Sequence, residues 1–262
     1  YFIGDVRDLP RLIRAMEDVD IVFHAAALKH VPVIEYNPFE AIKTNVIGSQ
    51  NVIDACLHEN VERAICIGTD KAVSPFNTYG ATKLLMEKLF VTAENYINKD
   101  KNKTKFISVR YGNVLGSSGS VIQKFIKQIK NNEKITITDP SMTRFSITMD
   151  DALDFILDSA SLGQGSDIFI PKLKAYNIVD LKNALIELLG NTETTITGIR
   201  AGEKLHETLI GLDEMRHVWE IDDKFVIVSS KRITGKEKSL YPKIIKKESL
   251  SSYSSDLAEK IS

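Results

Sequence analysis

Residues 64–83, Ala-Ile-Cys-Ile-Gly-Thr-Asp-Lys-Ala-Val-Ser-Pro-Phe-Asn-Thr-Tyr-Gly-Ala-Thr-Lys, constrain the architecture more than any other stretch. The chain is apolar from Ala64 to Gly68 and turns polar abruptly at Thr69, Asp70 and Lys71, which predicts a buried strand over 64–69. Ser74, Pro75 and Asn77 are turn formers. Leu84, Leu85, Leu89 and Phe90 then share one face of a helix expected over 78–97. Tyr79 and Lys83 are four apart and so lie on one side of that helix. A strand end therefore supplies a hydroxyl, a carboxyl and an amine, and the next helix a phenol and a second amine. In an open parallel sheet, ligands bind at the carboxyl ends of the strands.

Similar signals repeat along the chain. Tyr1 to Gly4 reads as a short strand, and Asp8 as the cap of a helix with Pro10 in its first turn. Strands are expected at 21–27, 106–111, 135–138 and 167–171, and helices at 38–59, 120–132, 149–162 and 178–190. The 21–27 strand ends in three alanines, which would let a flat ligand approach the backbone. Asn98 to Lys105 reads as a solvated loop. The alternation predicts an α/β fold, a doubly wound parallel sheet with right-handed crossovers, joined by a small mixed α/β lobe. Residues 1–115 are expected to form the Rossmann-like cofactor-binding part, residues 116–228 mainly the substrate-binding lobe, and residues 229–262 an extended Lys- and Ser-rich tail.

Composition excludes several classes. With 43% hydrophobic and 26% charged residues, the 262-residue chain can bury a full core. A net charge of −1 supplies no field to recruit nucleic acid or an anionic membrane. No apolar run approaches the ~20 residues that span a bilayer. Cys56 and Cys66 read as small core residues of a reduced compartment. The five histidines, at 24, 30, 58, 206 and 217, have no metal-ligand spacing, so no metal is expected.

Tyr79-Gly-Ala-Thr-Lys83 resembles the Tyr-x-x-x-Lys of extended short-chain dehydrogenase/reductases. The longer block, Thr69-Asp70-Lys71-Ala72 followed by Asn77 and Tyr79, is similar to the soluble, 5-inverting UDP-N-acetylglucosamine 4,6-dehydratases of the polysaccharide biosynthesis family, which feed bacterial glycan and flagellin-sugar (pseudaminic acid) pathways. Further matches extend from residue 1 to about 228. Ala25, Ala26, Lys29 and Asn45 fall in segments resembling the family's cofactor side, and Asp5 and Val6 match the pair that meets the adenine. Lys29 is similarly placed to a lysine near both cofactor and substrate. Asn113 resembles the asparagine that contacts the sugar nucleotide, and Arg144, Arg200 and Glu203 the residues that hold UDP. The resemblance implies bound NADP, with NAD as the alternative, a UDP-N-acetylglucosamine substrate, a cytoplasmic location and a homo-oligomer.

Such a reaction needs a base for the C4 hydroxyl, a base for the C5 hydrogen and an acid for the departing C6 hydroxyl. Tyr79 is the candidate for the first, its phenol lowered from ~10 by Lys83 and the cofactor's positive charge. Lys71 is the candidate C5 base, which requires a neutral amine, and Asp70 the acid, with Thr69 bonded to the C4 oxygen. Adjacent Asp and Lys otherwise form a solvated ion pair, and Arg144, Arg200 and Glu203 surface ion pairs.

Departures from the family pattern are also visible. Gly68 and Ala201 differ from its usual residues, and no Gly-rich turn follows an opening strand to cradle a pyrophosphate. The chain opens Tyr1-Phe2-Ile3-Gly4-Asp5 without methionine and is expected to lack an N-terminal unit of roughly 60 residues. The alternatives are a sugar-nucleotide 4-epimerase, which needs neither Asp70 nor Lys71, and a non-catalytic nucleotide-binding fragment.

Overall fold

The computed structural model describes residues 1–95, 97–98, 101–117, 119–200, 202–228, 241, 244–246 and 251–261. Tyr1 to Gly4, expected as a strand, are exposed and pair with no strand among the described residues, and a strand needs a neighbour's hydrogen-bonding edge. Helix α1 (Leu9–Ala15) starts as expected, with Asp8 accepting from the Arg11 N–H. Strand β1 (Ile21–His24) is followed by α2 (Val31–Tyr36). The single helix expected over 38–59 is a continuous helical run, but it is α3 (Pro38–Ala41), a π-helical turn at Ile42–Ile47 and α4 (Gly48–His58). Strand β2 (Arg63–Ile67) leads through a tight turn at Asp70–Ala72 into α5 (Thr78–Thr92), and β3 (Lys105–Val109) follows.

Beyond β3 come β4 (Asn113–Val114), α6 (Val121–Lys130), β5 (Ile135–Ile137), β6 (Thr143–Ile147) and α7 (Met149–Leu162). Then follow β7 (Asp167–Pro171), β8 (Ala175–Asn177), α8 (Ile178–Leu189), β9 (Thr194–Ile196) and β10 (Thr208–Ile210). The described chain closes with β11 (Val218–Ile221), β12 (Lys224–Val228), β13 (Ile245–Lys246) and β14 (Tyr253–Ser254).

Among the described residues, seven strands form the main sheet in the order β1-β2-β3-β7-β12-β11-β13. The first four are parallel, as expected, whereas β12, β11 and β13 continue the sheet antiparallel. Residues 167–171 and 218–228, expected within the substrate lobe, thus rejoin the main sheet. A two-residue loop at Asp222-Asp223 permits the β11–β12 hairpin, with Asp222 in the left-handed region at φ 50°.

Both faces of the parallel strands are covered, which explains their near-continuous apolar sequence. Ala64, Cys66 and Phe106 face Val52, Ile53, Met86 and Phe90 of α4 and α5. Their neighbours Ile65, Ile107 and Val109 face Phe155 of α7. This period of two follows from the pleat. Burial pushes the Cys56 and Cys66 thiols up to about 12, and both are free.

A smaller layer holds the β4-β6-β8 and β5-β9 sheets, with α6 and α8 packed around Phe125, Ile137 and Tyr176. The described part of the expected tail packs on its own chain. β13 pairs with β11, β14 pairs with β10, and the buried Tyr241 donates its hydroxyl proton to Asp167 Oδ2 at 2.6 Å.

Candidate active site

The sheet's carboxyl edge opens into a cleft of about 670 Å³ between the parallel strands and the smaller layer. Two close backbone approaches shape its floor. Gly68 donates to the Val109 carbonyl at 2.7 Å, and a Cβ there would collide with that oxygen, so glycine is what this strand end accommodates. A Cβ at Gly80 would likewise collide with the Lys71 carbonyl, so this glycine lets the start of α5 sit on the 70–72 turn. Asn77 caps α5 through its Oδ1, accepting from Gly80 N at 2.7 Å, and its Nδ2 donates to the Gly202 carbonyl at 2.8 Å. One side chain thereby fixes the helix and the 202–204 loop together.

The turn after β2 holds Thr69, Asp70 and Lys71. Asp70 is fully buried, and its Oδ1 accepts from Thr69 Oγ1 and from Lys71 Nζ, both at 3.0 Å. Its Oδ2 is buried without a hydrogen-bond partner among the described residues. Lys71 Nζ also donates to Asn113 Oδ1 at 3.1 Å and lies 3.8 Å from Glu207 Oε1.

The expectation of a neutral Lys71 amine is corrected here. Burial disfavours its charge, but Asp70 and Glu207 outweigh burial and raise its pKa, so the isolated protein carries an ammonium. The ion pair is not the solvated kind, since its carboxylate is sealed from water.

Tyr79 lies among the same groups. Burial pushes its phenol up, Lys71 pulls it down, Asp70 adds to the rise and a hydrogen bond with Thr69 lowers it, with a net upward shift. The expected lowering by Lys83 is absent because that amine points elsewhere. Lys83 Nζ donates to the Ile67 carbonyl at 2.6 Å and contacts Met86 Sδ at 3.0 Å, and burial lowers its pKa.

The expected substrate residues converge on the cleft, with Lys29, Asn113, Arg144, Arg200 and Glu203 all lining it. Arg144 differs from expectation in its bonding. Its guanidinium donates to the carbonyls of Thr143, Lys204 and Leu205 at 2.7 to 2.9 Å, so it anchors the 204–207 segment. Arg200 is more open, with 58% of its side chain exposed, and sits 3.7 Å from Glu203 Oε1. Ala201 lies outside the described residues.

On the expected cofactor side, Ala25 and Lys29 line the cleft, whereas Asp5, Val6, Ala26 and Asn45 do not. Asp5 is held by Arg7, whose hydrogen bonds keep its carboxyl down at about 2. Val6 packs against Gly48, where a Cβ would press on its methyl. Asn45 is fully buried in the π turn, and both of its amide protons are used, on Leu28 O and Thr82 Oγ1 at 3.0 Å. It also accepts from Leu28 N at 2.7 Å, so it secures the 25–29 loop. π turns frequently mark functional sites, and here the widened turn admits this side chain.

Sequence reasoning missed Glu207, Tyr176 and Lys204, which also line the cleft. Glu207 precedes the buried Leu209 by two residues, so strand alternation could have placed it inward. Tyr176 bonds Asn113, extending one polar chain from Tyr79 through Thr69, Asp70, Lys71 and Asn113.

Among known proteins, a Campylobacter jejuni protein named UDP-N-acetylglucosamine 4,6-dehydratase (inverting) is 49% identical over 238 residues, covering 90% of this chain and 70% of the relative. A Rickettsia felis protein named UDP-glucose 4-epimerase is 45% identical over 216 residues, covering 82% of this chain and 63% of the relative. The X-ray structure of Pen from Bacillus thuringiensis superposes with a TM-score of 0.91 at 40% identity, covering all of this chain and 78% of that one. Residues 1–229 match one family across both the parallel sheet and the cleft. The chain belongs to the polysaccharide biosynthesis protein family.

Proposed function

We propose that the protein is a lyase that removes water from UDP-N-acetylglucosamine, giving a UDP-4-keto-6-deoxy sugar with inversion at C5, and that it works with a tightly bound nicotinamide dinucleotide, NADP in preference to NAD. The observation that carries this reading is the Asp70–Lys71 pair, 3.0 Å apart at the cleft floor beside Tyr79. The dehydratase name of the Campylobacter relative supports it.

Ala25, Ala27 and Gly68, with small or no side chains, line the cleft together with Tyr79 and Lys83. This donor set fits the nicotinamide-ribose end of the cofactor. Bound there, the cofactor supplies hydride exchange between sugar carbons C4 and C6. The cofactor's positive charge beside Tyr79 would offset the burial that raises its phenol, so that Tyr79, as the phenolate, takes the O4 proton while Thr69 holds that oxygen.

The pair then handles the elimination. Its one shared proton sits on Lys71 in the isolated protein, and transfer along the 3.0 Å bond gives an amine beside a carboxylic acid with no net proton uptake. The amine removes the C5 hydrogen as a proton, made acidic by the 4-ketone. Asp70 protonates the departing C6 hydroxyl, which leaves as water, and the ammonium–carboxylate pair is restored. A proton from solvent then reaches the opposite face of C5, which inversion requires, and the O4 proton held by Tyr79 is released to solvent, so every group ends as it began.

Lys29, Asn113, Arg200 and Glu203 are the proposed sugar-nucleotide contacts, an arginine suiting a diphosphate by bidentate donation. A cytoplasmic homo-oligomer belongs to the same proposal, and no described helix is long and apolar enough to cross a membrane. The epimerase-named relative makes 4-epimerisation, through Tyr79 alone, the competing reading. Product analysis by NMR and mass spectrometry decides: a dehydrated 4-keto sugar supports the proposal, and a 4-epimer with no water lost replaces it.

A further inference from the structure

Glu207 has no role in the steps above, yet its position is unusual. Its side chain is 5% exposed, and Oε1 lies 3.8 Å from both Lys71 Nζ and Arg144 Nε. Its Oε2 is buried with no hydrogen-bond partner among the described residues. A buried carboxylate oxygen left without a partner is costly, and a native structure that keeps one calls for an explanation. The backbone fixes it firmly: Glu207 N donates to Ser255 Oγ at 2.9 Å, and Ser255 N donates to the Glu207 carbonyl at 2.8 Å. Lys71 uses two of its three N–H donors on Asp70 and Asn113, and Glu207 is the next acceptor.

We propose that Glu207 is a positioning residue that sets the proton balance of the Asp70–Lys71 pair, holding the shared proton on Lys71 until substrate fills the cleft. This rests on the dehydratase reading and deepens it. The groups facing the pair are Tyr79, Tyr176, Arg144, Lys204 and Glu207. Of the two carboxylates beside Lys71, Asp70 shares in the chemistry, so Glu207 is the fixed negative charge. Two consequences follow. With Glu207 charged, the doubly protonated pair is favoured and the fully deprotonated pair disfavoured, so both limbs of a bell-shaped rate profile lie at higher pH than they otherwise would. A substrate that displaces the Glu207 influence, by offering a hydroxyl to Oε2, releases the proton to Asp70 at the moment it is needed.

The test compares the wild type with Glu207→Gln and Glu207→Asp, using UDP-N-acetylglucosamine turnover against pH and the titration of the Lys71 Nζ by NMR of isotope-labelled lysine. Glu207→Gln is expected to move both limbs of kcat to lower pH by about 1 unit or more, with KM changed less than about threefold, and to lower the Lys71 titration equally. Glu207→Asp, which keeps the charge, should restore the wild-type limbs. A folded Glu207→Gln protein with unmoved limbs and an unmoved Lys71 titration overturns the proposal, as does a raised KM alone. If the wild type forms no dehydrated product, the functional reading fails, and the lysine titration still decides whether Glu207 controls Lys71.

Discussion

Lys71 Nζ donates to Asp70 Oδ1 at 3.0 Å, in a pair whose acid is sealed from solvent and whose amine borders the cleft. The two residues are adjacent in sequence and need opposite protonation states for the elimination proposed here. Storing one proton between them meets both needs.

Tyr79 is the proposed base for O4, and Tyr79→Phe removes only its hydroxyl, so the fold should be unchanged. Its kcat should fall roughly 10²–10⁴-fold with little change in KM. Steady-state kinetics on a variant shown to be folded by circular dichroism checks this, and turnover near the wild-type rate would remove Tyr79 from the mechanism.

Gly80→Ala should act against helix propensity. Alanine alone favours a helix by about 1 kcal/mol, but here its Cβ meets the Lys71 carbonyl. The expected result is a lower melting temperature together with lost activity, because the 70–72 turn must move. A stabilised, fully active variant would show that the turn yields without consequence.

Arg110 lies fully buried between Glu87 and Glu214, with bonds to their carboxylates at 2.6 to 3.0 Å and to the Leu209 carbonyl at 2.8 Å. It ties α5 to the segment after β10. Arg110→Met would strand the buried Glu87 carboxylate and should cost about 3–5 kcal/mol in urea unfolding. Adding Glu87→Leu should recover part of that loss, and a loss below about 1 kcal/mol in the single variant would contradict the account.

His24 gives a pH dependence of stability. Burial, and secondarily Lys83, lower its pKa from 6.5 to about 3. Ser49 Oγ donates to the Asn45 carbonyl, so it accepts from His24 Nε2 at 2.9 Å, which fixes a neutral tautomer. The unfolded chain binds a proton below about 6.5 and the folded chain does not, so the contribution is complete above that pH. It is lost as pH falls toward about 3, by at most about 1.4 kcal/mol per unit. Urea midpoints measured across this range should fall more steeply for the wild type than for His24→Asn, and parallel curves would remove His24 as the cause.

Local signals made much of this legible in the sequence. Helix α7 spans 149–162 as expected because Thr148 caps it, accepting from Asp151 N, and Gly163 follows it. The 69–83 block was likewise readable, since its strand end, turn and helix are coded within twenty residues. What escaped depends on distant partners. Nothing near residues 218–228 indicates that they return to the sheet beside β7, and the second carboxylate beside Lys71 comes from Glu207, 136 residues away by their numbers. The three bonds of Asn45 to Leu28 and Thr82 likewise join residues distant in sequence and form only in the fold.

The most direct test follows hydrogen at C5. The purified protein is incubated with UDP-N-acetylglucosamine in deuterated water, beside Lys71→Ala, and the products are read by NMR and mass spectrometry. The account predicts a 4-keto-6-deoxy product with deuterium at an inverted C5 from the wild type, and no C5 exchange from Lys71→Ala even where C4 is oxidised. A dehydrated product that retains its C5 hydrogen, or undiminished exchange in the variant, would contradict the central claim that the Asp70–Lys71 pair performs the elimination.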